Sequence, residues 1–262
     1  MIDNVAMVPA VPQMVRVSSR MGSIAMFADD QTRELLQAND LDDLDSLFAR
    51  GKSAGLRHEG RSVWSTCLTA GSDDPVRIFV KMQWGRRRIW PRMTDLKTGQ
   101  AYQSLARREW NGLIRFQSAG LNVPQRWALF EQGRLHVRSA VIVREIPPAH
   151  SIEEMIQFGK WDQLSAAARE TLLETVVSTV KTIHANGLGW RGTSSRHFYP
   201  ESRHADGWRM WLIDCEGVHE RLTSKVVARD YRKLLRSMQH SGADSTTLDQ
   251  LRRRIEREQV YV

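Results

Sequence analysis

Cysteine is nearly absent: Cys67 and Cys215 are the only two in 262 residues. That excludes a disulfide-stapled scaffold, rules out a zinc site unless histidines help to build it, and points to a reducing compartment. Long hydrophobic runs are also missing. No stretch approaches the roughly 18 to 20 uninterrupted apolar residues of a membrane span, and Pro9, Pro12 and Arg16 break up the apolar patches of residues 1–26. Asp3 comes early and the first basic residue follows the apolar part, the reverse of a secretory signal. The expectation is a cytoplasmic protein, with contact at a membrane surface left open. Internal repeats and low-complexity tracts are lacking too.

What is present is ordinary for a globular chain. Hydrophobic residues make up 41% and charged residues 26%, so global disorder is excluded. The length supports one or two domains. The net charge of +8 is unevenly spread: residues 1–50 carry four basic and eight acidic side chains. The densest basic stretch, Lys81 to Arg92, holds Lys81, Arg86, Arg87, Arg88 and Arg92 without an acid, and Trp84 and Trp90 lie within it. Such a stretch suits phosphates, nucleic acid or anionic lipid, and equally a solvated loop. The nine tryptophans along the chain read most simply as core packing.

Periodicity divides the chain into a strand-rich first half and a helical second half. Residues 1–28 show no clear element. Residues 31–50 read as one helix, with Thr32 as a cap, Leu35, Leu36, Leu41, Leu44, Leu47 and Phe48 on its apolar face, and Gly51 as its stop. Ser62–Leu68 and Val76–Met82 read as a hairpin around the turn formers of residues 71–75. A helix over 99–119 ends at Gly120, and strands follow at Trp127–Phe130 and Leu135–Val143. Beyond Pro147 and Pro148 the pattern predicts helices at 151–158, 162–185, 224–239 and 245–257. This order implies an α+β fold in two lobes, with Glu145–His150 as the hinge and the ligand in the interlobe cleft.

Four features carry chemistry. Phe79-Val80-Lys81 ends a strand, from which a lysine can extend its ammonium toward an anion. Glu109, in the next helix, can pair with Lys81 and direct it. The segment Trp190-Arg191-Gly192, running on to His197-Phe198, follows the long helix. Trp211-Leu212-Ile213-Asp214 is an apolar strand closed by a carboxylate, and Asp230 opens a later helix. Singly, each residue has a plainer reading: surface charge for Lys81 and Glu109, hydrogen-bonded loop histidine for His197, strand-end turn for Asp214. Cys215 reads as a small buried side chain, Glu216 as a substitute metal ligand, and His184 as a packing or capping residue.

In order and spacing, from about Gly60 to Met238, the chain resembles the lipopolysaccharide kinase family, the Kdo kinase and heptose kinase group of bacterial envelope biosynthesis. The landmarks are Phe79-Val80-Lys81, Arg108-Glu109-Trp110, residues 119–124 (Ala-Gly-Leu-Asn-Val-Pro), the loop ending in His197-Phe198, and Leu212-Ile213-Asp214. Residues 1–50 lie outside the resemblance, and the last fifteen or so match poorly. The resemblance implies a protein-kinase-like fold with an N-terminal extension over 1–50, a strand-rich N-lobe over 51–146 and a helical C-lobe over 147–262. It implies ATP and Mg²⁺ as cofactors, with Lys81 on the phosphates, Glu109 orienting Lys81, Arg191 in the catalytic loop, Glu145 of the hinge at the nucleotide, His197 and Asp214 on the metal, and Asp230 bracing the loop. The acceptor implied is an anionic envelope saccharide or glycolipid, phosphorylated on an inner-core sugar, with peripheral contact to the inner membrane left open.

The carry-over fails at one position that matters. The family loop reads His-Arg-Asp where this chain reads Trp190-Arg191-Gly192, so glycine stands in place of the acid that orients and deprotonates the acceptor hydroxyl. The glycine-rich phosphate loop is thin as well, with Gly60 and Gly71 the only glycines near the first hairpin. Two readings follow: an ATP-dependent kinase, or a pseudokinase that regulates or scaffolds envelope enzymes. A nucleic-acid binder using Lys81 to Arg92 is a remote third, unsupported by any nucleic-acid-binding signature, so no nucleic-acid partner is expected.

Overall fold

Alternation along four strands builds two faces that do different work. The computed structural model describes residues 15–19, 23–54, 56–58, 60–69, 75–86, 93–133, 136–203 and 207–259. The first elements are β1 (Val15–Ser19), β2 (Ser23–Phe27), α1 (Asp30–Ala38), α2 (Leu44–Ala54), β3 (Leu56–His58), β4 (Arg61–Leu68) and β5 (Val76–Arg86). They continue through α3 (Met93–Lys97), α4 (Leu105–Ser118), β6 (Arg126–Gln132) and β7 (His136–Arg144). The strands form one antiparallel sheet in the order β1-β2-β6-β7-β5-β4-β3. The hairpin read from Ser62–Leu68 and Val76–Met82 is β4–β5, paired with Ser65 opposite Phe79. Most of its turn, like residues 87–92 of the basic stretch, lies outside the described residues.

On one face Ile78, Val80 and Met82 of β5 join Ala140 and Ile142 of β7 in a core closed by Leu36, Leu41, Leu47 and Phe48 of the α1–α2 segment. On the other face Leu129, Val141 and Val143 pack with Trp110, Leu113 and Phe116 of α4. With a side-chain period of two, Lys81 falls on the α4 face, between Val80 and Met82, which point away from it. The strand pattern therefore aims Lys81 at the following helix.

Four expectations for residues 1–51 are corrected. The helix read over 31–50 is broken, because the Asn39–Asp43 run bonds locally: Asn39 caps α1, Asp40 has φ 54°, and Asp43 accepts from the amides of Asp45 and Ser46 to start α2. Leu41 is fully buried between the two helices. The α1 cap is Asp29, accepting from the Thr32 amide, rather than Thr32 itself. Gly51 does not stop the helix but lies inside α2, where a Cβ would meet Met82 and Trp64 of the sheet. Residues 15–27, read as featureless, contribute β1 and β2, whose hydrogen bonds go to each other and to β6.

The second half contains α5 (Ile152–Gln157), α6 (Ala166–Ala185), β8 (Gly189–Trp190), β9 (Phe198–Arg203), β10 (Gly207–Leu212), β11 (Val218–His219), α7 (Ser224–His240) and α8 (Ser245–Gln259). Its strands form two small antiparallel pairs, β9 with β10 and β8 with β11. The four helices read from periodicity are present, and β9 is added to the strand expected before Asp214. No helix among the described residues is long and apolar enough to cross a membrane.

Candidate active site

Glu109 sits on α4, which starts at Ser104, whose hydroxyl accepts from the Arg107 amide. One turn further on, Gly112 lets this helix approach the chain after β10: a Cβ there would lie 2.0 Å from the Cys215 carbonyl oxygen. That close approach brings Glu109 to both Lys81 and Asp214. Lys81 Nζ lies 2.7 Å from Glu109 Oε1 and 3.7 Å from Asp214 Oδ1. Burial opposes charge on Lys81, but Glu109 and then Asp214 outweigh it and hold the ammonium pKa above its ordinary range.

Asp214 follows β10 with φ 59° and ψ 56°, a left-handed conformation for a residue with a side chain, a strain of the kind kept at functional sites. Burial pushes its carboxyl up, while Lys81, His197 and Arg196 together hold it below the ordinary carboxylate value. His197 Nε2 is 3.2 Å from Asp214 Oδ2. Its other nitrogen, Nδ1, lies 2.5 Å from the Gly192 carbonyl, so Nδ1 carries the proton and Nε2 presents a lone pair. Burial depresses the His197 pKa against the pull of Asp214, which favours this neutral ring.

A nitrogen lone pair and a carboxylate oxygen thus face one another, and among the described residues only the Arg196 guanidinium donates to Nε2, at 3.1 Å. That donor set fits a divalent cation coordinated by both. Glu216 lines the same small pocket of about 110 Å³ with Arg61, Lys81, Glu109 and Asp214, and is held by Arg61 at 3.5 Å. The described residues contain no cluster of three metal-ligating side chains.

The loop before His197 hangs on Asp230. This carboxylate, fully buried at the first turns of α7, accepts from the Trp190 amide at 3.0 Å, contacts His184 Nε2 at 3.3 Å and pairs with Arg229. His184, read as a packing residue, also lies edge-on to Tyr231. Replacing Asp230 by alanine leaves the Trp190 amide and Arg229 without this acceptor. A loss of about 3 kcal/mol is expected in chemical denaturation; a loss under about 1 kcal/mol would show the brace to be dispensable.

Two of the expected site residues stand apart from this centre. Arg191 turns toward α3, where its guanidinium meets Asp95 Oδ1 at 3.0 Å and the Gln100 side chain; Asp95 also holds Arg108, one residue before Glu109. Glu145 pairs with Arg77 at 3.5 Å and lines a separate cavity of about 640 Å³ with Gln125, Pro147 and Trp211. Asp95 escaped the sequence reading because it belongs to a short helix with no periodic signal, and Gln100 because the helix read over 99–119 starts only at Leu105, leaving Gln100 in the turn before it.

Gly192 has a neighbour that sequence could not name. A Cβ built there would lie 2.5 Å from Nε1 and 2.9 Å from Cε2 of Trp190. The indole fills the space, donating to the Asp214 carbonyl oxygen at 3.2 Å and packing edge-on against Phe116. The two departures in this loop are therefore one: the larger residue at 190 requires the smallest at 192.

Comparison with known proteins bears on the fold and the family. Among solved structures, the chain is similar to that described as "WaaP in complex with acyl carrier protein", at a TM-score of 0.62 and 21% identity, covering 87% of each chain. That likeness shows the kinase-like two-lobed, α+β fold. No curated protein sequence matches. The family model for the lipopolysaccharide kinases matches residues 61–255. Because that match runs through β4, the whole Lys81–Asp214 centre and most of α8, the chain belongs to the lipopolysaccharide kinase (Kdo/WaaP) family.

Proposed function

We propose that this protein binds ATP with Mg²⁺ between its lobes and transfers the γ-phosphoryl group to a hydroxyl of an inner-core sugar, Kdo or heptose, or a related anionic envelope glycolipid. The observation carrying this reading is the assembled set Lys81–Glu109–Asp214–His197, in which one buried acid holds the lysine and a second faces a histidine lone pair. In this reading the Lys81 ammonium, fixed by Glu109, holds phosphate oxygens. Asp214 and His197 Nε2 hold Mg²⁺, which supplies charge neutralisation on the transferred group. Glu145 would reach the nucleotide from the hinge, and Arg191 keeps the loop docked on α3. With no side-chain base at 192, the acceptor proton would pass to an oxygen of the transferred phosphoryl group, so the chain's own contribution is positioning and charge stabilisation.

A second reading, nucleotide binding without turnover in a regulatory or scaffolding pseudokinase, is favoured by one observation: the Trp190 indole occupies the space beside Gly192. The acidic acceptor, peripheral contact with the inner membrane and a cytoplasmic site of action belong to the proposal in either reading.

Calorimetry with ATP and Mg²⁺, followed by phosphoryl transfer to Kdo- and heptose-bearing glycolipids, tests both. Asp214→Asn is expected to remove the Mg²⁺-dependent part of ATP affinity while leaving thermal stability intact. Unchanged Mg²⁺ dependence in that variant would take Asp214 out of the site. Binding with no transfer to any acceptor would move the second reading to first place.

A further inference from the structure

Beside Arg191 lies a further pocket, distinct in its lining from both cavities described above. It encloses about 530 Å³ and is lined by Lys97, Arg191, Arg221, Lys225 and Arg229 with His219 and the first turn of α7. No carboxylate lines it. Arg191 and Arg229 already have acids, Asp95 and Asp230. Lys97, Arg221 and Lys225 make no ion pair among the described residues, and the adjacent Glu220 is held by Arg115 at 2.8 Å. Three cations without counter-charge, converging at the positive end of a 17-residue helix, form an uncompensated field.

His219 gives this field a chemical target. It is 1% exposed, yet neither ring nitrogen has a hydrogen-bond partner. The Arg221 main chain is near but outside hydrogen-bond geometry. Burial, then Arg229 and Arg191, press the His219 pKa down to about 4, so the ring is neutral at pH 7 and must carry one N–H donor. A buried donor without an acceptor is costly, and the neighbouring side chains are cations, which offer it none. The missing partner is an anionic oxygen.

We propose that this pocket is a binding site for a phosphomonoester dianion, separate from the nucleotide centre, with Arg221, Lys225 and Lys97 supplying charge, His219 and the α7 amides supplying donors, and Arg191 linking it to Gly192. Three acceptor oxygens and nearly two negative charges match this set of donors and cations. A monovalent carboxylate would leave much of the positive charge unmatched. The dianion arrives either free in solution or as a substituent on a sugar.

The 262-residue protein, isotopically labelled at histidine and free of nucleotide, is titrated at constant ionic strength with inorganic phosphate and separately with glucose 6-phosphate, following the His219 ring resonances. Saturable shifts at millimolar concentration are expected. Affinity should fall about tenfold in Arg221→Ser/Lys225→Ser, whose side chains are exposed and structurally dispensable, and should hold in Lys81→Met. Retention in Lys81→Met separates this site from the nucleotide reading, so failure of either leaves the other standing. Tighter binding of glucose 6-phosphate assigns the anion to a phosphorylated sugar; binding of inorganic phosphate alone assigns it to a free anion. Absence of a saturable His219 shift with both, or equal affinity in the double serine variant, overturns the proposal.

Discussion

The double variant Trp190→His/Gly192→Asp is expected to raise phosphoryl transfer by about 10²- to 10⁴-fold, the usual contribution of a positioned general base. Gly192→Asp alone is expected to fail, for a steric reason rather than a chemical one. Gly192 does not have positive φ, so its backbone accepts a side chain. Its Cβ would nevertheless stand 2.5 Å from the Trp190 indole nitrogen. That indole is fully buried, with Phe116 at 5.3 Å and Phe198 at 5.5 Å between ring centroids, and has nowhere to turn. Trp190→His alone empties part of this core and should cost about 2–4 kcal/mol without any gain in activity. Only together do the changes exchange one filled volume for another. Transfer rates with a glycolipid acceptor, compared across the single and double variants, check this. A folded, ATP-binding double variant with no gain would mean that the site has diverged beyond the missing acid, and the pseudokinase reading would lead.

Lys81→Met is expected to weaken ATP binding by at least about 30-fold and to destabilise the fold, because Glu109 is left in the core without its cation. The two effects can be separated. Glu109 is almost fully buried, and its Oε2 has no hydrogen-bond partner. With Lys81 gone, burial keeps its folded-state pKa above the unfolded value, so the native state holds a proton that the unfolded state has released. Stability of the variant should then decline as pH rises from the ordinary glutamate value of about 4.3 toward that raised pKa. Lys81→Met/Glu109→Gln removes the titrating group and should recover most of the stability, roughly 3 kcal/mol, without recovering ATP affinity. Denaturation across pH together with calorimetry reads both quantities. Restored ATP affinity in the double variant would show that the lysine does not touch the nucleotide.

Much of this centre was legible because its residues close recognisable patterns. Lys81 interrupts the alternation of an apolar strand, and Asp214 ends another; neither carboxylate nor ammonium belongs there for packing alone. Their contacts with Glu109 and His197 are those the family resemblance implies. The α+β division into two lobes was legible for a related reason, each long helix of the second half carrying an apolar face of its own, whereas its kinase-like character came from the family resemblance. Helix α4 was read several residues too early, since the cap that starts it, Ser104, looks like any other serine until its hydroxyl meets the Arg107 amide.

What the sequence determined by itself was the set of residues whose chemistry is local: strand alternation that turns Lys81 to one face, the helix that carries Glu109, and a glycine where an acid was expected. Tertiary structure alone decided what surrounds them. Strands β1 and β2 exist because β6 offers an edge to pair with, not because residues 15–27 have a pattern of their own. Gly51 continues a helix because the sheet beneath it leaves no room for a side chain. Trp190 and Gly192, two residues apart, are read as independent letters in a sequence, yet a shared volume makes them a single substitution. The cations of the pocket beside Arg191 come from α3, the loop before His197, the connection after β11 and α7, and their field exists only where the fold superposes them. Periodicity and charge type are properties of adjacent residues, whereas exclusion of volume and summation of charge depend on distances that only the folded chain sets.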